Sequence, residues 1–173
     1  MIKAGEAIVT ARKLLGTPYK EMDCMALIRA VVRKSAGGVA DYRCEGTNWL
    51  WRSIDNASKY RHLTWRQESI SGAKAGMLAF KRSGEDVHHV GLVTEAGTVI
   101  HASSVFGYAV ETALDGSWHC LGQHKYIETS EPAPAAPEEE ETGEDAQRIT
   151  IIDSAGNRFE PIGDFRVLRG SVD

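Results

Sequence analysis

No stretch of the 173 residues is apolar for long enough to cross a bilayer as a helix. The N-terminus, Met1-Ile2-Lys3-Ala4-Gly5-Glu6, lacks the apolar core of a secretory leader and reads directly into an amphipathic helix. The expectation is a protein made in the cytoplasm, with no membrane span and no signal peptide. Cysteine is scarce. Cys24, Cys44 and Cys120 are an odd number without CxxC spacing, which fits neither a disulfide framework nor a zinc ribbon. A Cys44–Cys120 bridge that leaves Cys24 free stays open; otherwise those two are small buried apolar residues. Positive charge is not in excess either. The net charge is −4, so neither nucleic acid nor an anionic membrane is an expected partner. That charge is unevenly spread: residues 131–145 hold seven acidic side chains and no Lys or Arg, and without their −7 the −4 of the chain becomes +3.

What is present begins with helical periodicity. Ala4, Ala7, Ile8, Ala11, Leu14 and Leu15 recur on one face, and Gly16 with Pro18 supplies a stop. A second helix starts at Cys24 with Asp23 placed to cap it, and Cys24, Leu27, Ile28, Val31 and Val32 share its core-facing stripe. Thr47 caps a short helix through Trp49, Leu50, Trp51 and Ile54; these tryptophans and Trp65 read as core. From Gly76 the period changes to two. Strands are predicted at 77–81, 88–94, 98–102, 108–113, 118–120 and 125–128. Helices first and strands second predict an α+β fold, with N-terminal helices packed on an antiparallel sheet. Residues 1–129 form the main domain in this reading. Residues 130–147 are an acidic linker rich in Pro, Ala and Glu, and 148–173 form a C-terminal β-hairpin that turns at Ser154-Ala155-Gly156-Asn157. A lone hairpin is marginal in water, so it is expected to dock on the main domain, on another subunit or on a protein partner.

One thiol stands where chemistry is favoured. At the first turn of a helix the positive end of the macrodipole lowers a thiol pKa, which singles out Cys24. Its base is sought among histidines on the strands. If Glu95-Ala96-Gly97 is a three-residue hairpin loop with Gly97 in the left-handed conformation, His101 falls opposite Gly91. His89 is then its diagonal neighbour on the same face. A two-residue loop would place the two on opposite faces. His88 has the parity of Val90 and Leu92 and receives no role. Asp23 reads as a helix cap, and the backbone N–H there could stabilise an oxyanion. Tyr19, five residues before the thiol, is near enough to reach over the same site.

These segments resemble the NlpC/P60 cysteine peptidases, cell-wall hydrolases of bacteria and phages with a papain-like core. The likeness runs through Leu15-Gly16-Thr17-Pro18-Tyr19, Asp23-Cys24-Met25-Ala26-Leu27-Ile28, Gly76-Met77-Leu78-Ala79-Phe80, His89-Val90-Gly91-Leu92 and Ile100-His101-Ala102-Ser103. The resemblance implies Cys24 as nucleophile, His89 as base and His101 as the third, orienting residue, with Tyr19 and Asp23 on the substrate side. It implies hydrolysis of a peptidoglycan stem peptide between D-γ-glutamate and diaminopimelate or lysine, through a thioester, and no metal or organic cofactor. The chain departs from the family pattern at Met25-Ala26, which stand for Ser-Gly, at Gly76-Met77, which stand for Gly-Asp, and in the short segment Lys20-Glu21-Met22. Met25 is expected to add bulk beside the thiol. The rival readings are a non-catalytic binding module on the same fold, an amidase or acyltransferase, and a zinc site of Cys24, His89 and His101. A wall hydrolase without a leader suggests association with a phage.

Overall fold

A computed structural model of the chain describes residues 1–55 and 61–130, and the backbone of two short strands further on. It divides into two compact units, Met1–Ala136 and Pro137–Asp173.

In the first unit α1 (Ala4–Arg12) buries Ala4, Ala7, Ile8 and Ala11. It ends before Leu14 and Leu15, and Leu15 is exposed. The second helix, α2 (Cys24–Lys34), starts where Asp23 Oδ1 accepts the Ala26 N–H at 2.6 Å, which satisfies one orphan donor of the first turn. Its buried stripe holds Cys24, Met25, Leu27, Ile28, Val31 and Val32. A short α3 (Thr47–Arg52) follows. Trp51 is buried edge-on to Phe80 at 5.1 Å, whereas Trp49 and Trp65 are exposed, so the core reading holds only for Trp51.

The strands are β1 (Leu63–Gln67), β2 (Leu78–Ser83), β3 (Asp86–Val93), β4 (Thr98–Ser103), β5 (Tyr108–Ala113) and β6 (Cys120–His124). They form one antiparallel sheet in the order β1-β6-β2-β3-β4-β5. The fold is α+β. Two strands expected near 118–120 and 125–128 are a single strand, β6, lying between them. The first strand was not legible in the sequence, because its burial runs buried, exposed, exposed and then half-buried rather than alternating.

The sheet has a core on each face. Ile8, Leu27, Ile28, Val90, Leu92 and Ile100 pack with the helices; Met77, Ala79, Val93, Val99, Trp118 and Leu121 form a smaller cluster. Neighbours Leu92 and Val93 fall in different clusters, as a pleat requires. A bulge interrupts β3. Lys81 pairs with His89 and Arg82 with Val87, which leaves His88 as the extra residue. Val87 and Val90 therefore both reach the helix-side core although three residues apart, and His88 is exposed instead of sharing the face of Val90.

All three cysteines are free and buried, so Cys44 and Cys120 are not bridged. In the second unit β7 (Ile151–Ile152) pairs antiparallel with β8 (Arg158–Phe159). The linker expected at 130–147 lies outside the described residues apart from Ser130, whose N–H bonds Ala75 O at 3.0 Å.

Candidate active site

The β3–β4 connection is the loop whose length decides where the histidines point. Thr94 N–H bonds Thr98 O at 2.9 Å, Gly97 N–H bonds Thr94 O at 3.2 Å, and Gly97 has φ +70°. Glu95-Ala96-Gly97 is thus the loop, and its glycine occupies the left-handed region that a side chain would resist. Arg12 of α1 holds it from outside, with Nη1 on Glu95 at 2.5 Å and Nη2 on Glu111 of β5 at 3.2 Å. The register Leu92↔Ile100 follows. A Cβ built on Gly91 would lie 2.9 Å from His101 Cβ and 2.4 Å from Val99 Cγ1, so only glycine leaves room there.

His89 Nε2 and His101 Nδ1 are consequently 2.8 Å apart, their rings crossed edge-on at 4.9 Å. His101 Nε2 lies 3.1 Å from Thr112 Oγ1 on β5. Trp118 walls the pair, with ring centroids 5.5 Å from His89 and 5.1 Å from His101. Lys81 Nζ sits 4.7 Å above that indole and bonds Ser117 Oγ at 2.9 Å. Burial first and then the neighbouring positive charges hold both imidazoles down at about 4, so both are neutral at pH 7. Both nitrogens of His101 are engaged, and none is left for a metal. Among the described residues no group of three His, Cys, Asp or Glu side chains is placed to hold one.

Cys24 opens α2 and is buried, 7% exposed as a residue. Backbone N–H groups of Val90, Met25 and Cys24 itself are directed at the sulfur, and Val90 is the residue after His89. These donors lower the thiol pKa. Burial outweighs them and, with the charge of Asp23, pushes it up. The low resting pKa expected from the helix start is therefore corrected: burial outweighs the backbone donors, and the thiol lies above its ordinary range.

Tyr19 is half-buried, with its N–H on Gly107 O at 2.8 Å. Burial raises its phenol pKa first, and the charges of Cys24 and Asp23 add to the rise. Asp23 is exposed and spends a carboxylate oxygen on the cap, with Arg29 at 3.9 Å. Met25 is 4% exposed in the main core, so its bulk goes to packing rather than to the mouth of the site.

Thr112 and Trp118 escaped the sequence. Thr112 joins His101 only through the β4–β5 register, in which Val99 faces Thr112 and His101 faces Val110. Trp118 follows a turn, and no spacing ties it to either histidine. It also borders an open cleft of about 550 Å³, bounded further by Glu68, Arg82 and His119.

No family model matches the sequence, and no curated protein matches it either. Solved structures do. The NlpC/p60 domain of the peptidoglycan hydrolase SagA is 21% identical, with TM-score 0.50, over 69% of this chain and 97% of that one. The peptidoglycan hydrolase RipB from Mycobacterium tuberculosis is 19% identical, with TM-score 0.48, over 69% of this chain and 63% of that one. The architecture is thus that of a helix-plus-sheet domain with a thiol at a helix start. The chain has the NlpC/P60 fold.

Proposed function

We propose that this protein is a peptidoglycan hydrolase that cuts stem peptides between D-γ-glutamate and diaminopimelate or lysine, with Cys24 as nucleophile. The observation that carries the reading is the His89–His101 hydrogen bond, next in the chain to the Val90 N–H that is directed at the Cys24 sulfur. Because Nε2 of His89 is engaged by His101, Nδ1 is the nitrogen open to a proton. Nδ1 takes the thiol proton as sulfur attacks the scissile carbonyl carbon. Backbone N–H groups at the start of α2 receive the negative oxygen. Collapse breaks the C–N bond, the imidazolium returns its proton to the leaving amine, and a thioester remains. Water, deprotonated by the same imidazole, then releases the acid and the thiol.

For Nδ1 to accept, Nε2 of His89 must carry hydrogen and donate to His101 Nδ1. His101 then carries its hydrogen on Nε2 and donates to Thr112 Oγ1. Trp118 shields the pair from water on one side, and the adjoining cleft offers room for substrate. Tyr19 borders the thiol from another side.

Purified wall fragments digested with the wild type and with Cys24→Ala, and read by mass spectrometry, test this. The wild type is expected to release stem-peptide fragments and the variant none. Cleavage that survives the substitution would overturn the mechanism. An undigested wall with the wild type would favour a binding module. We further propose that residues 130–173 tether the catalytic unit to a protein partner, in the manner of a phage-associated hydrolase. Truncation after residue 129 should leave hydrolysis of soluble fragments intact and abolish co-purification with the partner; unchanged assembly would end the tether idea.

A further inference from the structure

His89 and Lys81 share the indole of Trp118. The ring centroids of His89 and Trp118 are 5.5 Å apart, and Lys81 Nζ lies 4.7 Å over the same Trp118 ring. Trp118 is 3% exposed and belongs to the smaller core cluster, so packing fixes this platform. Register brings Lys81 to it. Lys81 pairs with His89 across β2 and β3, and directly opposed residues of an antiparallel pair project to the same face. Ser117 Oγ, on the turn before Trp118, accepts a hydrogen of the ammonium at 2.9 Å.

What this ammonium lacks is a counter-ion. Among the described residues Arg12, Arg29 and Arg82 each pair with a carboxylate, and Lys81 pairs with none. Arg82, the next residue and part of the wall of the open cleft beside Trp118, is taken by Glu68 at 2.7 Å. Asp115 stands on the same turn as Ser117, but its Oδ1 accepts the Ser117 N–H at 2.9 Å, so it holds the turn and forms no ion pair with the lysine. An ammonium carries more hydrogens than Ser117 Oγ takes up. Lys81 is thus a half-buried cation, steadied by a hydroxyl and an indole, with donors unspent and no carboxylate of its own. Charge-assisted hydrogen bonds to an arriving anion are the strongest use of such a group.

The hydrolysis proposed above decides which half of the substrate meets Lys81. The acyl half stays on the sulfur, and His89 returns its proton to the leaving amine, so the residue that carries this amine lies on the His89 side of the thiol. Diaminopimelate and lysine are the two residues considered for that place. Their side chains reach a terminal ammonium over the same number of carbons, and they differ by a single carboxylate on the last carbon. Beside Lys81 a lysine brings only a like charge, whereas diaminopimelate brings the carboxylate that the ammonium lacks. We infer that Lys81 is the specificity-determining residue of the leaving side, and that this protein cuts before diaminopimelate in preference to lysine. The leaving side chain runs from the base past Trp118 towards the cleft of about 550 Å³, and its carboxylate meets Lys81 on the way. This rests on the hydrolysis by Cys24 and adds which of its two substrates is taken.

Two soluble peptides test this, L-Ala-γ-D-Glu-meso-diaminopimelate and L-Ala-γ-D-Glu-L-Lys, with kcat/KM measured for each on the full chain. The wild type should favour the diaminopimelate peptide by about ten-fold, and Lys81→Met should abolish most of that preference, chiefly through KM, as the loss of one charge-assisted hydrogen bond. Removing the charge also lets His89 titrate higher, an effect common to both peptides that cancels in the ratio. Lys81→Arg should keep the preference and Lys81→Glu should reverse it. A diaminopimelate peptide amidated at its side-chain carboxylate should be cut by the wild type no better than the lysine peptide, a result that needs no variant to fold. Equal cleavage of the two peptides by the wild type, or an equal loss on both in Lys81→Met, would overturn the assignment and leave the hydrolase standing. So would a Lys81-dependent preference that follows the α-carboxylate of γ-D-Glu, measured against the D-isoglutamine analogue. Cleavage of neither peptide would end both proposals.

Discussion

Thr112 shows how much a single hydroxyl can decide. Its Oγ1 lies 3.1 Å from His101 Nε2, and in the proposed mechanism the hydrogen on that nitrogen keeps Nδ1 free to accept from His89. Replacing it with the isosteric valine should lower kcat about three- to ten-fold with KM nearly unchanged, the worth of one neutral hydrogen bond. Thr112→Ser should restore most of the rate. Ring ¹⁵N shifts that report an unchanged His101 tautomer in Thr112→Val would sink this positioning role. A second expectation concerns pH. His89 is held at about 4 by burial, by His101 and by Lys81, so it stays neutral and competent well below its ordinary 6.5. The acid limb of kcat/KM, which reports the free enzyme, should fall nearer pH 4 than pH 6.5. A midpoint at 6.5 in a pH–rate profile would mean that the base titrates as an exposed histidine. The sequence named Cys24, His89 and His101 because each sits in a local pattern. Thr112 and Trp118 belong to the same cluster only through pairing and packing, which leave no trace in spacing.

The β3–β4 hairpin is the element on which the site depends. Its loop was legible because glycine at the end of a three-residue connection has a distinct conformational reason, and the face shared by the histidines followed from the count. Parity failed one strand position away. His88 is the extra residue of a bulge, and nothing in Val87-His88-His89-Val90 announces that the pleat is interrupted there. The hairpin is close-packed at Gly91. Gly91→Ala would drive a methyl into Val99 Cγ1, His101 Cβ and the Ile100 carbonyl. Such overpacking typically costs about 1–3 kcal/mol, and here relief of the clash moves His101 itself. Denaturant unfolding should show that loss, and the hydrolysis rate of the folded fraction should fall as well. A variant that is destabilised but keeps full specific activity would show that the close approach serves packing alone.

For the molecule as a whole, four histidines share one consequence. His62, His89 and His101 are held at about 4, and His124 at about 3, chiefly by burial. In the unfolded chain each returns to 6.5. Above that value folded and unfolded states are both neutral, and stability does not depend on these groups. As pH falls from 6.5 towards 4 the unfolded chain takes up protons that the fold refuses, and stability drops by up to about 1.4 kcal/mol per pH unit for each group. Below the folded values the penalty levels off. Urea midpoints measured between pH 7 and 4 should therefore decline steeply, and replacing His124 with a neutral isostere should flatten the slope. A midpoint constant over that range would contradict the burial of these rings.

What the sequence determined by itself was whatever rests on local rules: the capped start of α2, the apolar stripe behind Cys24, the period-two strands and the glycine-ended loop. These need only dihedral preferences and side-chain periodicity. The tertiary structure decided the rest. Desolvation, which depends on everything packed around a group, outweighed the backbone donors at Cys24 and held the histidines neutral. Register brought Thr112 to His101, a bulge turned His88 out, and a cluster of rings satisfied His124 while leaving the buried ring nitrogens of His62 without a hydrogen-bond partner. Each is a contact between residues distant in the chain, and no window along the sequence contains both partners.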